Sequence, residues 1–186
     1  MEVPDHPLRD ATSHAAGFED LALPLFDQLY NFACWLTEDT SEAEDLLQET
    51  YAKALRGFSS FQAGTNFRAW MYRILRNLFL SSRAGLKTAV EFTEEGPENS
   101  MAAVMTTPES LYLEKASRAL LQQAMAELPV HFREILLLCE VEEMSYQEIA
   151  ETLSIPIGTV MSRLSRARKA LRSLLEEKLK RGRHDM

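Results

Sequence analysis

Cysteine is scarce in this 186-residue chain: Cys34 and Cys139 stand far apart, each within an apolar run, with no CxxC pair beside either. That spacing excludes a disulfide framework and offers no zinc site, so both are expected to be reduced thiols in a core. Histidine is equally thin. His6, His14, His131 and His184 are scattered, and the sequence holds neither a nucleophile elbow nor a phosphate-binding loop. No catalytic residue, metal site or cofactor is expected. Long apolar runs are missing too, since none approaches the roughly 18 residues of a membrane span. The opening MEVPDHPLRD has no basic start and no apolar stretch of the kind a secretory signal needs. These absences predict a cytoplasmic, non-enzymatic protein with no membrane insertion.

Charge of one sign is absent from whole blocks. Asp10 to Ala52 contains no lysine or arginine, while Glu19, Asp20, Asp27, Glu38, Asp39, Glu42, Glu44, Asp45 and Glu49 are acidic. Tyr51 to Val90 contains no acid, and there Lys53, Arg56, Arg68, Arg73, Arg76, Arg83 and Lys87 are basic. A third block, Arg163 to Arg183, is basic apart from Glu176 and Glu177. A net charge of −8 would by itself argue against a nucleic-acid partner. Blocks of this length are instead the trace of distinct electrostatic surfaces.

What is present is helical periodicity. A hydrophobic content of 46% is enough to build cores, and no alternating strand pattern occurs. The fold class expected is all-α, two small helical domains joined by a flexible linker. Residues 1–17 are polar, with Pro4 and Pro7, and read as a mobile arm. Leu25, Phe26, Leu29, Ala33 and Leu36 recur at helical spacing, with Pro24 acceptable in a first turn. SEAEDLLQETYAKALRG opens on a Ser41/Glu44 capping box and closes at Gly57. After the loop FSSFQAGTN, Asn66 is placed to cap a third helix whose buried stripe is Phe67, Met71, Ile74, Leu75 and Leu78. Residues 18–86 thus read as a three-helix bundle. Residues 87–106, with Gly96-Pro97 and several acids, read as the linker.

From Thr107 the second domain is expected to run to about residue 180, with 181–186 a basic tail. Pro129 separates two of its helices, and Ser145 with Glu148 forms a capping box before SYQEIAETL. The tight turn SIPIG then leads into a long basic helix, and these parts together make a helix-turn-helix. On the last helix Val160, Leu164, Ala167 and Leu171 gather on one side. Thr159, Ser162, Arg166 and Lys169 gather on the other, with Arg163 at its edge. Guanidinium forks and hydroxyls suit base edges and phosphates, so this side is expected to read DNA. On the third helix, Arg68, Tyr72 and Arg76 are expected to face outward, and Trp70 to lie near Arg73 and Asn77 as either partial core or a DNA contact. Charge for a backbone beside rings for unpaired bases is what a separated strand needs.

These segments carry a family resemblance. LPVHFREILLLCEVEEMSYQEIAETLSIPIGTVMSRLSRARKAL resembles the C-terminal domain of bacterial RNA polymerase sigma factors, and AEDLLQETYAKALRGFSSF with FRAWMYRILRN resembles their second conserved region. Both in this order, with a linker between, are similar to the extracytoplasmic-function (ECF) group of the sigma-70 family. The resemblance implies a factor that binds core RNA polymerase and directs transcription initiation at chosen promoters. It implies that Asp45, Gln48 and Glu49 dock on the clamp helices of the largest subunit, with the flap of the second-largest subunit a further contact. The minus-ten element would be opened and read by Phe61, Asn66, Arg68, Trp70, Tyr72, Arg73, Arg76 and Asn77, the loop from Phe61 to Asn66 receiving a flipped base. The minus-thirty-five element would be read by Thr159, Ser162, Arg163, Arg166 and Lys169. An anti-sigma factor is implied as a further partner, and the linker would thread toward the polymerase cleft or serve as a tether. Met161 stands where such factors often carry lysine or arginine, so one fewer phosphate contact or an apolar contact to a thymine methyl is expected there. The alternative function is a stand-alone helix-turn-helix regulator.

Overall fold

The computed structural model describes residues 17–62, 64–86 and 108–184, with backbone alone at 85–86, 108–116 and 182–184. The expected arm, the expected linker and the Thr107 cap lie outside the described residues, apart from Gly17. The chain divides into two compact units, residues 1–95 and 96–186.

In the first unit residues 17–22 are already helical, and Pro24 falls in a 3-10 turn, Leu23–Leu25, not in the first turn of the following helix. Proline's missing N–H costs nothing in so short a turn. Helix α1 (Phe26–Thr37) ends at Glu38, whose left-handed backbone (φ 62°) lets its N–H reach the Cys34 carbonyl. Helix α2 (Thr40–Gly57) is capped by Asp39, whose carboxylate accepts the Glu42 N–H at 2.7 Å. The expected Ser41/Glu44 box is therefore displaced by a cap two residues earlier. Helix α3 (Phe67–Leu86) starts as its sequence predicts, with Asn66 Oδ1 accepting the Ala69 N–H at 2.9 Å. Leu29, Phe32, Ala33 and Leu36 of α1 meet Ala43, Leu46, Leu47 and Ala54 of α2 and Met71, Leu75 and Phe79 of α3 in an apolar core. Small residues at 33, 43 and 54 let the backbones approach, and each large side chain buried here contributes about 1.5 to 3 kcal/mol.

In the second unit, α4 (Pro108–Ala126) is followed by α5 (Val130–Leu136), which widens into a π-helical turn, Leu137–Val141. Every residue from Arg133 to Leu138 is buried. A helix covered on all sides is the centre of its domain. Buried Arg133 donates from Nε to the Met125 carbonyl at 2.9 Å and from its guanidinium to the Ala126 carbonyl at 2.5 Å. It thereby satisfies the acceptors left at the end of α4, as a cation should. Helix α6 (Tyr146–Leu153) carries the full Ser145/Glu148 capping box, as expected. Ser154, in the left-handed region (φ 54°), makes the turn into α7 (Ile157–His184). The expected tail from 181 is thus helical as far as His184. Arg181 pairs with Glu177 one turn back and helps carry the helix onward.

Candidate nucleic-acid and protein interfaces

Three exposed surfaces emerge from these elements. On α2, Asp45, Gln48 and Glu49 are all exposed, at the i, i+3, i+4 spacing of one helix face, while Leu46, Leu47 and Thr50 hold the opposite face in the core. Among the described residues, nothing in the first unit's packing requires these polar groups. Their chemistry suits a partner surface carrying basic groups.

The second surface surrounds α3. Phe58 stacks on Phe61 with centroids 6.0 Å apart, and Phe61 packs against Phe67 at 5.2 Å and Trp70 at 5.1 Å. Phe18 is almost fully buried beneath them, 5.4 Å from Phe58. The sequence alone did not single out Phe18, because one aromatic beside a polar stretch has no period. Phe58, Phe61 and Phe67, with Ser59, Gly64 and Thr65, line an open cleft of about 440 Å³. Gly64 has φ 88°, a conformation any side chain would strain, and this bends the loop around the cleft. Arg73 and Asn77 project from the exposed side of α3, one turn apart. Trp70 is half-buried among the rings, and so is both packing and surface.

Two expectations for this helix need correction. Tyr72 does not face outward: it is fully buried, edge-on to Phe32 at 5.0 Å, and cannot stack on a base. Its ring provides core volume that outweighs its hydroxyl. The buried stripe of α3 accordingly sits one residue round from the expected one, taking in Ala69, Tyr72 and Phe79, while Phe67 and Ile74 are only half-buried. Arg68 and Arg76 are half-buried too, the Arg68 guanidinium lying 5.6 Å from the Tyr72 centroid. Asn66 already commits Oδ1 to the cap.

The third surface is α7. Val160, Leu164 and Ala167 are buried and Leu171 is half-buried, as the period predicts. Ser162, Arg166 and Lys169 are exposed and Thr159 is half-buried. Arg166 Nε donates to the Ser162 carbonyl at 3.2 Å, which lays its guanidinium along the helix. Arg163 is half-buried at the edge of this face, with a partner the sequence does not reveal. Its guanidinium lies 3.6 Å from Glu134 of α5, and their side chains are only 20% and 1% exposed. Further along, Arg168 pairs with Glu140 at 2.6 Å. Among the described residues no group of histidine, cysteine and acid side chains could hold a metal ion.

The sigma-70 region 2 family matches residues 24–87, and the sigma-70 region 4 family matches residues 118–171. The ECF RNA polymerase sigma factor SigE of Mycolicibacterium smegmatis is 36% identical over 184 residues, covering 94% of this chain and 70% of that protein. SigW of Bacillus subtilis, also an ECF sigma factor, is 30% identical, covering 86% of this chain and 89% of that one. Among solved structures, the sigma factor RpoE in complex with the anti-sigma factor NepR from Bartonella quintana superposes with a TM-score of 0.69 at 29% identity, covering 86% of this chain and 97% of that one.

Proposed function

The chain belongs to the ECF RNA polymerase sigma factors of the sigma-70 family, and from that premise we propose how its residues divide the work of promoter-specific initiation. The first unit grips core polymerase through Asp45, Gln48 and Glu49, which would face the clamp helices of the largest subunit. The same unit takes the minus-ten element: the aromatic cleft of Phe58, Phe61 and Phe67 receives an unpaired base, and Arg73 and Asn77 hold the strand beside it. Stacking on such rings contributes about 1 to 3 kcal/mol per base, comparable with the few kcal/mol needed to extrude one. The cleft therefore captures a strand more readily than it opens one. Thr159, Ser162, Arg166 and Lys169 of α7 meet the minus-thirty-five duplex, with the flap of the second-largest subunit a further partner. No catalytic step is assigned to the chain.

One observation carries this reading. The first unit presents exposed acids on one face of α2 and, on the acid-free segment after it, a cleft lined by three phenylalanines together with the exposed cation Arg73 on α3. A protein that must hold another protein and DNA together needs both. No helix among the described residues is long and apolar enough to cross a membrane, and polymerase and promoter place the proposed work in the cytoplasm. An anti-sigma protein is a further proposed partner, by analogy with the RpoE complex; recovery of none in a pull-down from the native cell would remove it.

Run-off transcription with reconstituted holoenzyme tests the residue assignments. Arg166→Ala is expected to weaken use of the upstream element, and Asn77→Ala to impair opening or reading of the downstream one. Undiminished transcription from cognate promoters by both variants overturns the assignments.

A further inference from the structure

The pairing of Arg163 with Glu134 changes the chemistry of the helix that carries it. With Arg163 turned against a buried carboxylate, the first two turns of α7 present no exposed charge at all. What they present is Ile157, 47% exposed, and Met161, 57% exposed, one turn apart. Beside this ridge lie Gly158 and Ser162, both exposed. Cations resume at Arg166 and continue through Arg168, which pairs with Glu140, to Lys169 and Arg172.

A large exposed apolar pair on a short helical stretch is not explained by packing, because neither side chain enters the core of the second unit. Gly158 is equally unexplained by the fold: its backbone is ordinary, and a Cβ built there would meet nothing within 4 Å. Its missing side chain leaves room for something outside the protein to approach the backbone. The neighbouring run of cations on the same helix says what that is, since basic groups following an apolar leading end match phosphates flanking a groove. In the major groove the apolar group a duplex offers is the 5-methyl of thymine. In helix-turn-helix proteins the N-terminal residues of the second helix are the ones that reach base edges.

We propose that Ile157 and Met161 form an apolar reading edge that selects thymine methyl groups in the upstream promoter element, with Gly158 allowing close approach and Arg166 and Lys169 fixing register on the phosphates. This rests on the assignment of α7 to the minus-thirty-five duplex. It predicts a promoter preference in which thymine sits at one or two fixed positions opposite the start of the helix. Glu134 acts as a positioning residue that keeps Arg163 from supplying a competing guanine contact.

The decisive comparison is thymine against uracil, which pair alike and differ by that methyl alone. Holoenzyme containing the full chain is used to select upstream sequences from a randomised duplex, and each fixed thymine is then replaced by deoxyuridine. Binding is expected to weaken about fourfold per methyl removed, the ratio for one methylene-sized group returned to water. Met161→Ala or Ile157→Ala holoenzyme is expected to lose the distinction, with an unchanged melting temperature because both side chains are exposed. Glu134→Gln is expected to admit guanine at a position where the native protein takes thymine. Selected sites without a fixed thymine, native holoenzyme that treats thymine and uracil alike, or Met161→Ala and Ile157→Ala variants that both keep the distinction would each overturn the proposal. Arg166→Ala separates the two levels: if it leaves upstream recognition intact, the placement of α7 on the duplex is itself wrong, whereas loss with Arg166→Ala but indifference to uracil sinks the methyl reading alone.

Discussion

The Tyr51 hydroxyl ties the entry of the first unit to its second helix, donating to the Ala22 carbonyl at 2.7 Å across 29 positions of sequence. Its ring is held by Phe26 at 5.9 Å and by Phe18 at 6.3 Å. Burial pushes the phenol up to about 12, with the Asp27 carboxylate adding to the shift. The unfolded chain would titrate near 10. A group whose folded pKa is raised lends stability that is whole below the unfolded value and vanishes as pH climbs through the folded one. Tyr51 should therefore stabilise the unit fully up to about pH 10, and lose that contribution between about 10 and 12. Tyr51→Phe is expected to cost about 1 kcal/mol at pH 7, the typical worth of one hydrogen bond. It should also flatten the alkaline fall in stability. Urea unfolding at pH 7 and across pH 9 to 11 measures both, and parallel alkaline curves for the two proteins would show that another group is responsible. The buried thiol of Cys34 and the half-buried thiol of Cys139 are likewise pushed up by desolvation, in keeping with cysteines that serve as packing.

At the scale of elements, α2 offers the cleanest test, because its outer face takes no part in the core. Charge reversal by Asp45→Lys with Glu49→Lys is expected to leave the melting temperature within about 2 °C, since surface substitutions usually stay within about 0.5 kcal/mol. Association with core polymerase should weaken about tenfold or more, chiefly through slower encounter, and the deficit should shrink at high salt. Equal affinity of native and reversed proteins, measured by fluorescence anisotropy against core polymerase, would release α2 from its docking role. Much of this scale was legible from sequence. Asn66 and the Ser145/Glu148 pair were found because a cap is a local rule that the chain obeys within three residues. The α7 stripe was found because Val160, Leu164 and Ala167 are unambiguously apolar. The start of α2 was missed because Glu38 adopts a left-handed conformation normally given to glycine or asparagine, which moved the cap back to Asp39. The burial of Tyr72 and the ion pair of Arg163 escape the sequence for a shared reason: each has an apolar body with a polar tip, and its partner, Phe32 or Glu134, lies on another helix. Periodicity cannot see a partner across the core. The cleft beside Phe61 was half legible, since its loop was expected to take a base while the ring beneath it, Phe18, was not foreseen.

For the whole molecule the governing quantity is a net charge of −8 that coexists with an acid-free block from Tyr51 to Val90 and a basic block from Arg163 to Arg183. A polyanion meeting this protein at a distance feels the average and is repelled, while one held against α3 or α7 feels the local cations. Proximity therefore has to be supplied by a partner, and the acidic face of α2 is the part of the chain suited to recruiting one. The free protein should bind promoter duplex no better than a non-specific ligand, with a dissociation constant of about 1 µM or weaker at physiological salt. Core polymerase should tighten specific binding by about a hundredfold or more, within the range by which specific complexes exceed non-specific ones. Arg166, Lys169 and Arg172 are exposed cations following the reading edge, Arg168 between them being paired with Glu140, and if each of the three neutralises one phosphate, the upstream element should contribute a slope of about −3 to log affinity against log salt. Holoenzyme carrying Lys169→Ala should lose about one unit of that slope on every promoter alike, because a phosphate contact carries no sequence information. Gel-shift titrations from 50 to 200 mM salt, with and without core polymerase, decide the matter. Nanomolar, sequence-specific binding by the free protein would mean that its average charge does not govern its approach to DNA, and would move the chain toward a regulator that acts alone.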